Sequence, residues 1–322
     1  MKRQRRSGSA SACASAHGVP DSACPRVLAT ILFWSERELP LVERCVDSLL
    51  AQSGSADLRV MVIDNGSGLT PRLPASVELL RLPANLGFAG GHNAGIRAAL
   101  EEGTQFVFLV NSDVVVASSC LGALIEATRN WPNIGILGPL VLSERSAGHI
   151  ESNGQSFNSW TGRHRERGRG LAISSVDMAP HSVDSVSGCA LLASRAMLDR
   201  VGFLDEDLYL YFEDLDWCLR ASRAGFVVGV VPQAVVWHIG AGSTGPGWPG
   251  RTYYSVRNHT IVAARYAQGP LAWLLPALVL AYHLAFLIRS RDYRTGANLL
   301  ALLRGAFAAC TLRTGRRWGT CA

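Results

Sequence analysis

Gln105-Phe-Val-Phe-Leu-Val-Asn-Ser-Asp113 has the composition of a buried strand that ends in a polar cluster. The apolar run 106–110 is rich in β-branched and aromatic side chains, which is typical of a central strand covered on both faces of a parallel sheet. Asn111, Ser112 and Asp113 then stop the run, and ligands bind at the carboxyl ends of such strands in open α/β sheets. The same triplet is also typical of a turn in which Asn and Asp bond their own backbone. This stretch by itself leaves both interpretations open.

Strand and helix patterns alternate on the amino-terminal side of that stretch. Strands are expected at 27–34, 58–63 and 77–82, and helices at 41–50 and 96–102. The alternation is the βαβ signature of a doubly wound, mostly parallel, Rossmann-like sheet. The sequence therefore predicts the α/β class.

Three successive strands are expected to end in polar or glycine-rich clusters. These clusters are Asp64-Asn65, the segment 85–95 and the triplet 111–113. One such end is ordinary turn chemistry, but three in succession indicate the rim of one binding crevice. The glycines of the second cluster let a ligand approach the backbone, and amides at the start of a helix suit a phosphate. Their order is not GxGxxG and they follow the third strand, which disfavours a dehydrogenase.

The segment 203–226 places three carboxylates, Glu213, Asp214 and Asp216, at the start of a predicted helix. The helix dipole favours negative charge there, and a capped helix with acidic first-turn residues is a common arrangement. Glu213 and Asp214, however, follow an apolar run and are expected to be partly desolvated. Asp216 lies about 200° around the helix from Asp214, so we expect it to point away and to pair with Arg220 at i+4.

The positive charge of the chain is unevenly spread. The net charge is +6 over 322 residues, and basic residues gather at 2–6, 163–169 and 289–317. This pattern suits a surface that faces anionic lipid or pyrophosphate. A nucleic-acid partner is not expected, because the chain lacks an interleaved aromatic-basic motif. The middle cluster lies within 143–183, a weakly patterned region that we expect to be a functional or disordered loop.

The cysteines and the amino terminus indicate a cytosolic protein. The eight cysteines are scattered and form no CxxC pair, which favours reduced thiols over a disulfide framework or a zinc site. The first residues are basic but lack the long apolar core of a secretory signal. Residues 1–25 are therefore expected to form a disordered basic tail.

The carboxyl-terminal region, residues 267–322, is expected to be an apolar and basic helical appendage. Residues 270–288 are nearly uninterrupted apolar sequence, arginines follow, and a second apolar stretch covers 299–312. A spanning helix needs about 20 such residues, so the length is marginal. A buried helical hairpin is the alternative. We favour peripheral or monotopic attachment at the inner, cytoplasmic face of the cell membrane.

From about residue 27 to residue 266, ordered sequence blocks resemble the family 2 glycosyltransferases of the GT-A fold, especially bacterial rhamnosyl- and galactofuranosyltransferases. Any one block is weak, but all of them in order are specific. The resemblance implies a GT-A domain over residues 26–266. The blocks are Asp64-Asn-Gly-Ser67, Asn85-Leu-Gly-Phe-Ala-Gly-Gly-His-Asn-Ala-Gly95, Asn111-Ser-Asp113, Ser187-Gly-Cys189, Phe212-Glu-Asp-Leu-Asp216, Trp237-His238 and Tyr254-Ser-Val-Arg-Asn258.

The resemblance also implies roles for single residues. Asp113 and His238 would bind Mg²⁺ or Mn²⁺ on the donor diphosphate, Asp214 would be the catalytic base, and Glu213 would face the acceptor. Asn111 stands where many members have an aspartate, and 35–37 departs from the family's usual turn after the first strand. The implied donor-binding residues are Asp64, which would contact the nucleotide base, Asn85, Gly87, Gly91 and Asn93 beside the nucleotide sugar, and Asn111 at the ribose.

The chemistry of these residue types is coherent. A divalent cation neutralises a leaving diphosphate, a carboxylate deprotonates the acceptor hydroxyl, and one base opposite the leaving group implies inversion. We therefore predict an inverting glycosyltransferase with a dTDP- or UDP-sugar donor, dTDP-rhamnose first, and a glycan or polyprenyl-linked acceptor at the membrane surface. The alternatives are a non-catalytic nucleotide-sugar-binding scaffold and a nucleotidyltransferase.

Overall fold

The computed structural model describes residues 24–54, 56–101, 103–146, 148–240, 247–270, 272–311 and 315. The predicted disordered tail, apart from residues 24 and 25, lies outside the described residues. The described cysteines are free thiols, as predicted, and Cys13 and Cys321 lie outside this part of the chain.

One large mixed sheet forms the centre of the molecule. Its order is β10-β12-β6-β11-β4-β1-β2-β3, with β5 paired to β12 and β7 paired to β6, while β8 and β9 form a separate hairpin. The run β4-β1-β2-β3 is parallel, and β11 lies antiparallel between β4 and β6. The strands are β1 Arg26–Phe33, β2 Asp57–Asp64, β3 Glu78–Arg81, β4 Thr104–Asn111, β5 Val114–Val116, β6 Ile134–Ser143, β7 Ile150–Ser152, β8 Gln155–Asn158, β9 Arg163–Glu166, β10 His181–Ser182, β11 Ala190–Ser194 and β12 Val227–His238.

Helices cover both faces of this sheet. Phe108 and Val110 of β4 belong to the core beneath α1 and α3, whereas Val107 and Leu109 pack with α2, α4 and α5. Burial on both faces explains the unbroken apolar run of β4 and confirms the predicted doubly wound α/β class. The helices are α1 Leu39–Leu50, α2 Gly87–Ala99, α3 Cys120–Asn130, α4 Arg195–Val201, α5 Glu213–Arg223, α6 Pro249–Tyr266, α7 Leu275–Arg289 and α8 Gly296–Cys310.

Helix α2 begins earlier than the sequence predicts. The glycine-rich segment was expected to be a loop up to Ile96, but it is helical from Gly87. A Cβ on Gly91 would lie 2.5 Å from Leu32 Cδ1, and one on Gly95 would lie 2.3 Å from Ile63 Cδ1. These glycines therefore let the helix approach the sheet closely, and this packing overrides their low helix propensity.

The region 143–183 is not one long loop. It contains β7, the β8–β9 hairpin and β10, strands of only two to four residues. Strands this short carry too few residues for a periodic pattern, which is why the sequence did not predict them.

Helices α7 and α8 of the appendage pack on α6. Thr252 Oγ1 donates to Asn298 Oδ1 at 2.5 Å, and His259 Nδ1 lies 3.1 Å from His283 Nε2. Their outer surface nevertheless remains apolar and exposed. By length and composition, the stretch Ala272–Arg289 is also the candidate membrane span in the described part of the chain, with 22% of its residues buried.

Candidate active site

A cavity of about 660 Å³ opens at the carboxyl edge of the sheet. Its wall includes Asn65 after β2, the triplet 111–113 at the end of β4, and His238 at the end of β12. Parallel strands end at the same edge, so side chains from distant parts of the sequence meet there. The cavity therefore lies where the sequence placed a binding crevice.

Asp113 and His238 face each other across a short strand pair. Strand β5 follows Asp113 directly and pairs antiparallel with β12, so that Val114 lies opposite His238. Ile239 N also donates to Asp113 O at 2.9 Å, which closes the junction. As a result, His238 Nε2 lies 3.4 Å from Asp113 Oδ1, and both side chains line the cavity.

Glu151 completes this arrangement, although no motif or spacing in the sequence points to it. Its Oε1 lies 2.9 Å from His238 Nδ1, and it reaches that position because β7 pairs with β6 beside β12. The Nδ1 proton is donated to Glu151, so Nε2 is the ring nitrogen that faces Asp113 and the cavity. Burial alone would lower the pKa of His238, but its hydrogen bonds to Asp113 and Glu151 raise that pKa to about 10.

The donor atoms of Asp113 and His238 fit a divalent cation. Among the described residues, no group of three or more His, Cys, Asp and Glu side chains is arranged to hold a metal. Two protein ligands would therefore leave the other coordination positions to ligand oxygens and water, as Mg²⁺ and Mn²⁺ accept readily. The carboxylate behind His238 is the usual partner of a metal-binding imidazole.

Asn85 is the centre of the cavity wall beside α2. Its Oδ1 accepts from Asn65 Nδ2 at 3.1 Å, from Gly87 N at 2.9 Å and from the Tyr209 hydroxyl at 3.0 Å. All four residues line the cavity, as does Asn111. Of the predicted donor-binding residues, the structure thus brings together Asn85, Gly87 and Asn111. Asn65 stood within a quoted motif, whereas Tyr209 had no signal in the sequence.

Asp64, Gly91 and Asn93 are not among the described residues that line this cavity. The Asp64 carboxylate accepts from Ser67 N at 2.7 Å and shapes the turn after β2. Asn93 Nδ2 donates to Leu204 O at 2.9 Å, and Gly91 is buried where α2 packs on the sheet. The side chains of Asp64 and Asn93 are thus engaged in structural bonds, and their donor-binding role stays a prediction.

Asp214 lies in the first turn of α5 with its carboxylate held by two backbone amides. Gly188 N donates to Oδ2 and Leu215 N donates to Oδ1, each at 2.8 Å. A Cβ on Gly188 would lie 3.1 Å from Oδ2, so the glycine makes room for the carboxylate. Burial raises the pKa of Asp214, although these amides oppose the effect. A carboxylate with a raised pKa is a more effective base near neutral pH.

Glu213 is buried, with 4% of its surface exposed, and its Oε2 has no hydrogen-bond partner within the described chain. Burial and the charge of Asp214 raise the pKa of Glu213 well above its usual range. Neither carboxylate belongs to the cavity wall that the described residues form. The acceptor-facing role of Glu213 and the base role of Asp214 therefore both stay predictions.

Asp216 is tied into the scaffold behind α5. Arg220 Nε donates to its Oδ2 at 2.8 Å, as the i+4 spacing predicts, and Arg265 Nη1 donates to its Oδ1 at 2.6 Å. Asp216 thus holds the helix in place, which leaves Asp214 as the partly exposed acid of the three.

Comparison with known proteins places this geometry in a family. The chain is 29% identical over 292 residues to N-acetylglucosaminyl-diphospho-decaprenol L-rhamnosyltransferase of Mycobacterium tuberculosis, over 82% of this chain and 90% of the relative. It is 28% identical over 231 residues to dTDP-rhamnosyl transferase RfbF of Shigella flexneri, over 66% of this chain and 73% of the relative.

The fold is also found among solved structures. The mannosyltransferase PcManGT from Pyrobaculum calidifontis, in complex with GDP-Man and Mn²⁺, superposes with a TM-score of 0.53. The two are 16% identical, and the match covers 90% of this chain and 88% of the other. A family model described as glycosyltransferase like family 2 matches residues 25–249. Because this match covers more than half of the sequence, the chain belongs to glycosyltransferase family 2 and has the GT-A-like fold of a glycosyltransferase.

Proposed function

We propose that the chain is an inverting, metal-dependent glycosyltransferase that moves rhamnose from dTDP-rhamnose to a polyprenyl-linked or glycan acceptor in cell-envelope glycan synthesis. The observation that carries the proposal is the convergence of Asp113 and His238 on one point of the cavity. Rhamnose is the first choice because the names of two relatives specify rhamnosyl transfer, and one of them specifies a dTDP donor. A UDP-sugar is the second choice of donor.

Different residues act on the leaving diphosphate and on the attacking hydroxyl. A Mg²⁺ or Mn²⁺ ion held by Asp113 and His238 would neutralise the charge that develops on the donor diphosphate. Asn85 and Asn111 offer amide groups to the donor on the same wall. Asp214 accepts the proton of the attacking acceptor hydroxyl while the Gly188 and Leu215 amides hold its carboxylate in place. Attack from the face opposite the leaving diphosphate inverts the anomeric centre.

The acceptor would enter past aromatic side chains that line the cavity. Tyr211, Trp248 and Tyr254 form this aromatic wall together with Arg251, and Tyr254 stacks on Tyr209 with 5.1 Å between the ring centroids. Aromatic faces suit the apolar faces of sugar rings, and a guanidinium suits a phosphate. Arg251 Nη1 also donates to the hydroxyl of Tyr293, which lies between α7 and α8, at 2.9 Å. This wall therefore adjoins the appendage.

The surface of the appendage is the reason for proposing an acceptor that is anchored in lipid. Many exposed apolar side chains on two neighbouring helices suit contact with lipid, and arginines at 289, 291, 294 and 304 would meet anionic headgroups. We infer peripheral or monotopic binding to the inner face of the cell membrane. The exposed apolar residues are Trp273, Leu278, Tyr282, Leu284, Phe286, Ile288, Leu299, Leu300, Leu303 and Phe307.

A panel of nucleotide sugars tests the proposal. Purified protein with Mn²⁺ is expected to release nucleoside diphosphate from one donor, slowly by hydrolysis and faster with acceptor. A nucleotidyltransferase would instead release pyrophosphate from a nucleoside triphosphate. A scaffold would bind a nucleotide sugar without releasing nucleoside diphosphate. Either of those results would overturn the proposed activity.

A further inference from the structure

The segment Leu208–Phe212 has a backbone that its residues disfavour. Tyr209, Tyr211 and Phe212 have φ values of 66°, 69° and 72°. Bulky L-residues rarely adopt this left-handed region, because Cβ crowds the following carbonyl. Such strain persists only where the surrounding structure enforces it.

Arg257 and Asn258 of α6 enforce this conformation. Asn258 Nδ2 lies 2.8 Å from Leu208 O, 2.8 Å from Leu210 O and 2.7 Å from Tyr211 O. Arg257 Nη2 donates to Leu208 O at 2.7 Å, and Arg257 Nε donates to Asn258 Oδ1 at 2.7 Å. Both side chains are fully buried. Two adjacent polar side chains thus direct their donors at three carbonyls of the strained segment.

The strained segment joins the two halves of the candidate active site. At one end, Tyr209 O accepts from Phe88 N of α2 at 2.7 Å, and the Tyr209 hydroxyl donates to Asn85. At the other end, Phe212 immediately precedes Glu213 and Asp214, and Phe212 O accepts from Asp216 N at 3.0 Å. A change in the segment would therefore move the donor wall and the base together.

We propose that Arg257 and Asn258 are positioning residues that hold Leu208–Phe212 in its strained conformation and thereby set Tyr209 and Asp214 for catalysis. This inference rests on the proposed function. It also gives a role to Arg257 and Asn258 of the Tyr254-Ser-Val-Arg-Asn258 block, which the proposed reaction does not use directly.

The test compares Asn258→Ala with wild-type full-length protein. Loss of the clamp is expected to speed amide hydrogen exchange in the peptide that covers 204–213 and to lower kcat about 10- to 100-fold. Mn²⁺ affinity measured without nucleotide is expected to stay within about twofold, because strands β5 and β12 and the Glu151 carboxylate position Asp113 and His238.

Val256→Ala is the matched control. Val256 is a buried neighbour on the same helix, but it packs against Leu287, Tyr293 and Leu302 of the appendage instead of the strained segment. The control is expected to lower Tm while kcat and exchange at 204–213 stay at wild-type values. Equal kcat losses in Asn258→Ala and Val256→Ala, measured per folded molecule, would overturn the inference.

A second-site variant separates positioning from general stability. Glycine adopts positive φ without strain, so Phe212→Gly lessens the need for the clamp. Asn258→Ala is therefore expected to lower kcat less in the Phe212→Gly background than in wild type, whereas strictly additive losses of kcat would contradict the inference. Arg257→Lys replaces Asn258→Ala if that variant does not fold, because lysine keeps the charge but lacks the forked donors of arginine. It is expected to lower kcat and to speed exchange at 204–213, each by less than Asn258→Ala would. Wild-type kcat and wild-type exchange in Arg257→Lys would refute the clamp.

These outcomes are distinct from failure of the proposed function. Wild-type protein that releases no nucleoside diphosphate from any nucleotide sugar would refute the proposed reaction. In that case, hydrogen exchange in Asn258→Ala and Val256→Ala still tests whether the clamp holds the segment.

Discussion

Glu151 gives the sharpest prediction about the metal site, since it touches the imidazole of His238 and is not needed as a ligand itself. Glu151→Leu removes the acceptor for the Nδ1 proton, and Glu151→Gln keeps an acceptor oxygen but removes the charge. Neither change alters Asp113 or His238 directly. Comparison of the two variants therefore separates the effect of the Glu151 charge on Mn²⁺ binding from the effect of its hydrogen bond to His238.

The geometry gives the expected size of the effect. A hydrogen bond to a charged group contributes about 1.5–3 kcal/mol, and the 2.9 Å contact between His238 Nδ1 and Glu151 Oε1 has good length. The Glu151 side chain is 31% exposed, so the lower end of that range applies. We expect Glu151→Leu to weaken Mn²⁺ binding about tenfold and Glu151→Gln to weaken it about threefold.

The assay is a Mn²⁺ titration followed by the electron paramagnetic resonance signal of the free ion, with transfer measured at each concentration. Excess Mn²⁺ should restore most of the activity of both variants. Glu144→Gln is the control, because Glu144 N donates to His238 O while its side chain pairs with Arg44 at the surface. Wild-type affinity in Glu151→Leu would refute the argument. Complete loss of Mn²⁺ binding would instead show that Glu151 is a direct ligand.

Three further predictions concern the metal, the buried acid and the membrane. Asp113→Ala should abolish transfer and His238→Ala should weaken its metal dependence, and full activity of Asp113→Ala in a chelator would contradict the site. The pKa of Glu213 is raised well above 4.5 in the folded protein, whereas in the unfolded chain it is about 4.5. As pH rises above about 4.5, the unfolded chain therefore loses this proton first, and the free energy of unfolding of wild type falls until the raised pKa is reached. Thermal unfolding should therefore show Glu213→Gln gaining stability relative to wild type across that window, and a difference independent of pH would refute this. Ile288→Glu should reduce sedimentation of the protein with anionic liposomes. Leu171→Glu is the control at an exposed site outside the appendage and should sediment like wild type. Equal binding of both variants would count against membrane docking by α7 and α8.

The α/β class was predictable because burial on both faces leaves a clear trace in the sequence. Strand β4 alternates its side chains between two helix layers, so every residue of its central run is apolar. The acidic start of α5 and the pairing of Asp216 with Arg220 were predictable for a similar reason, since both depend on spacing within one helix.

The features of the fold and the site that could not be predicted depend on contacts between segments that are far apart in the sequence. Asp113 meets His238 only because the three-residue strand β5 pairs with β12, and Glu151 reaches His238 from another strand of three residues. The helical conformation of the glycine-rich segment depends on close packing against Leu32 and Ile63. Neither local propensity nor periodicity encodes such contacts, and family resemblance supplied the pairing of Asp113 with His238.

Replacing the Asp214 carboxylate tests most directly whether this residue is the catalytic base. Asp214→Asn keeps the shape of the side chain and removes the proton acceptor, so donor affinity should survive while transfer falls by about two to four orders of magnitude. Glu213→Gln, one residue away, should lose less. Pre-steady-state transfer to a polyprenyl-linked acceptor, measured for both variants beside wild type, decides between them. Near wild-type transfer by Asp214→Asn together with an inactive Glu213→Gln would contradict the assignment of the base.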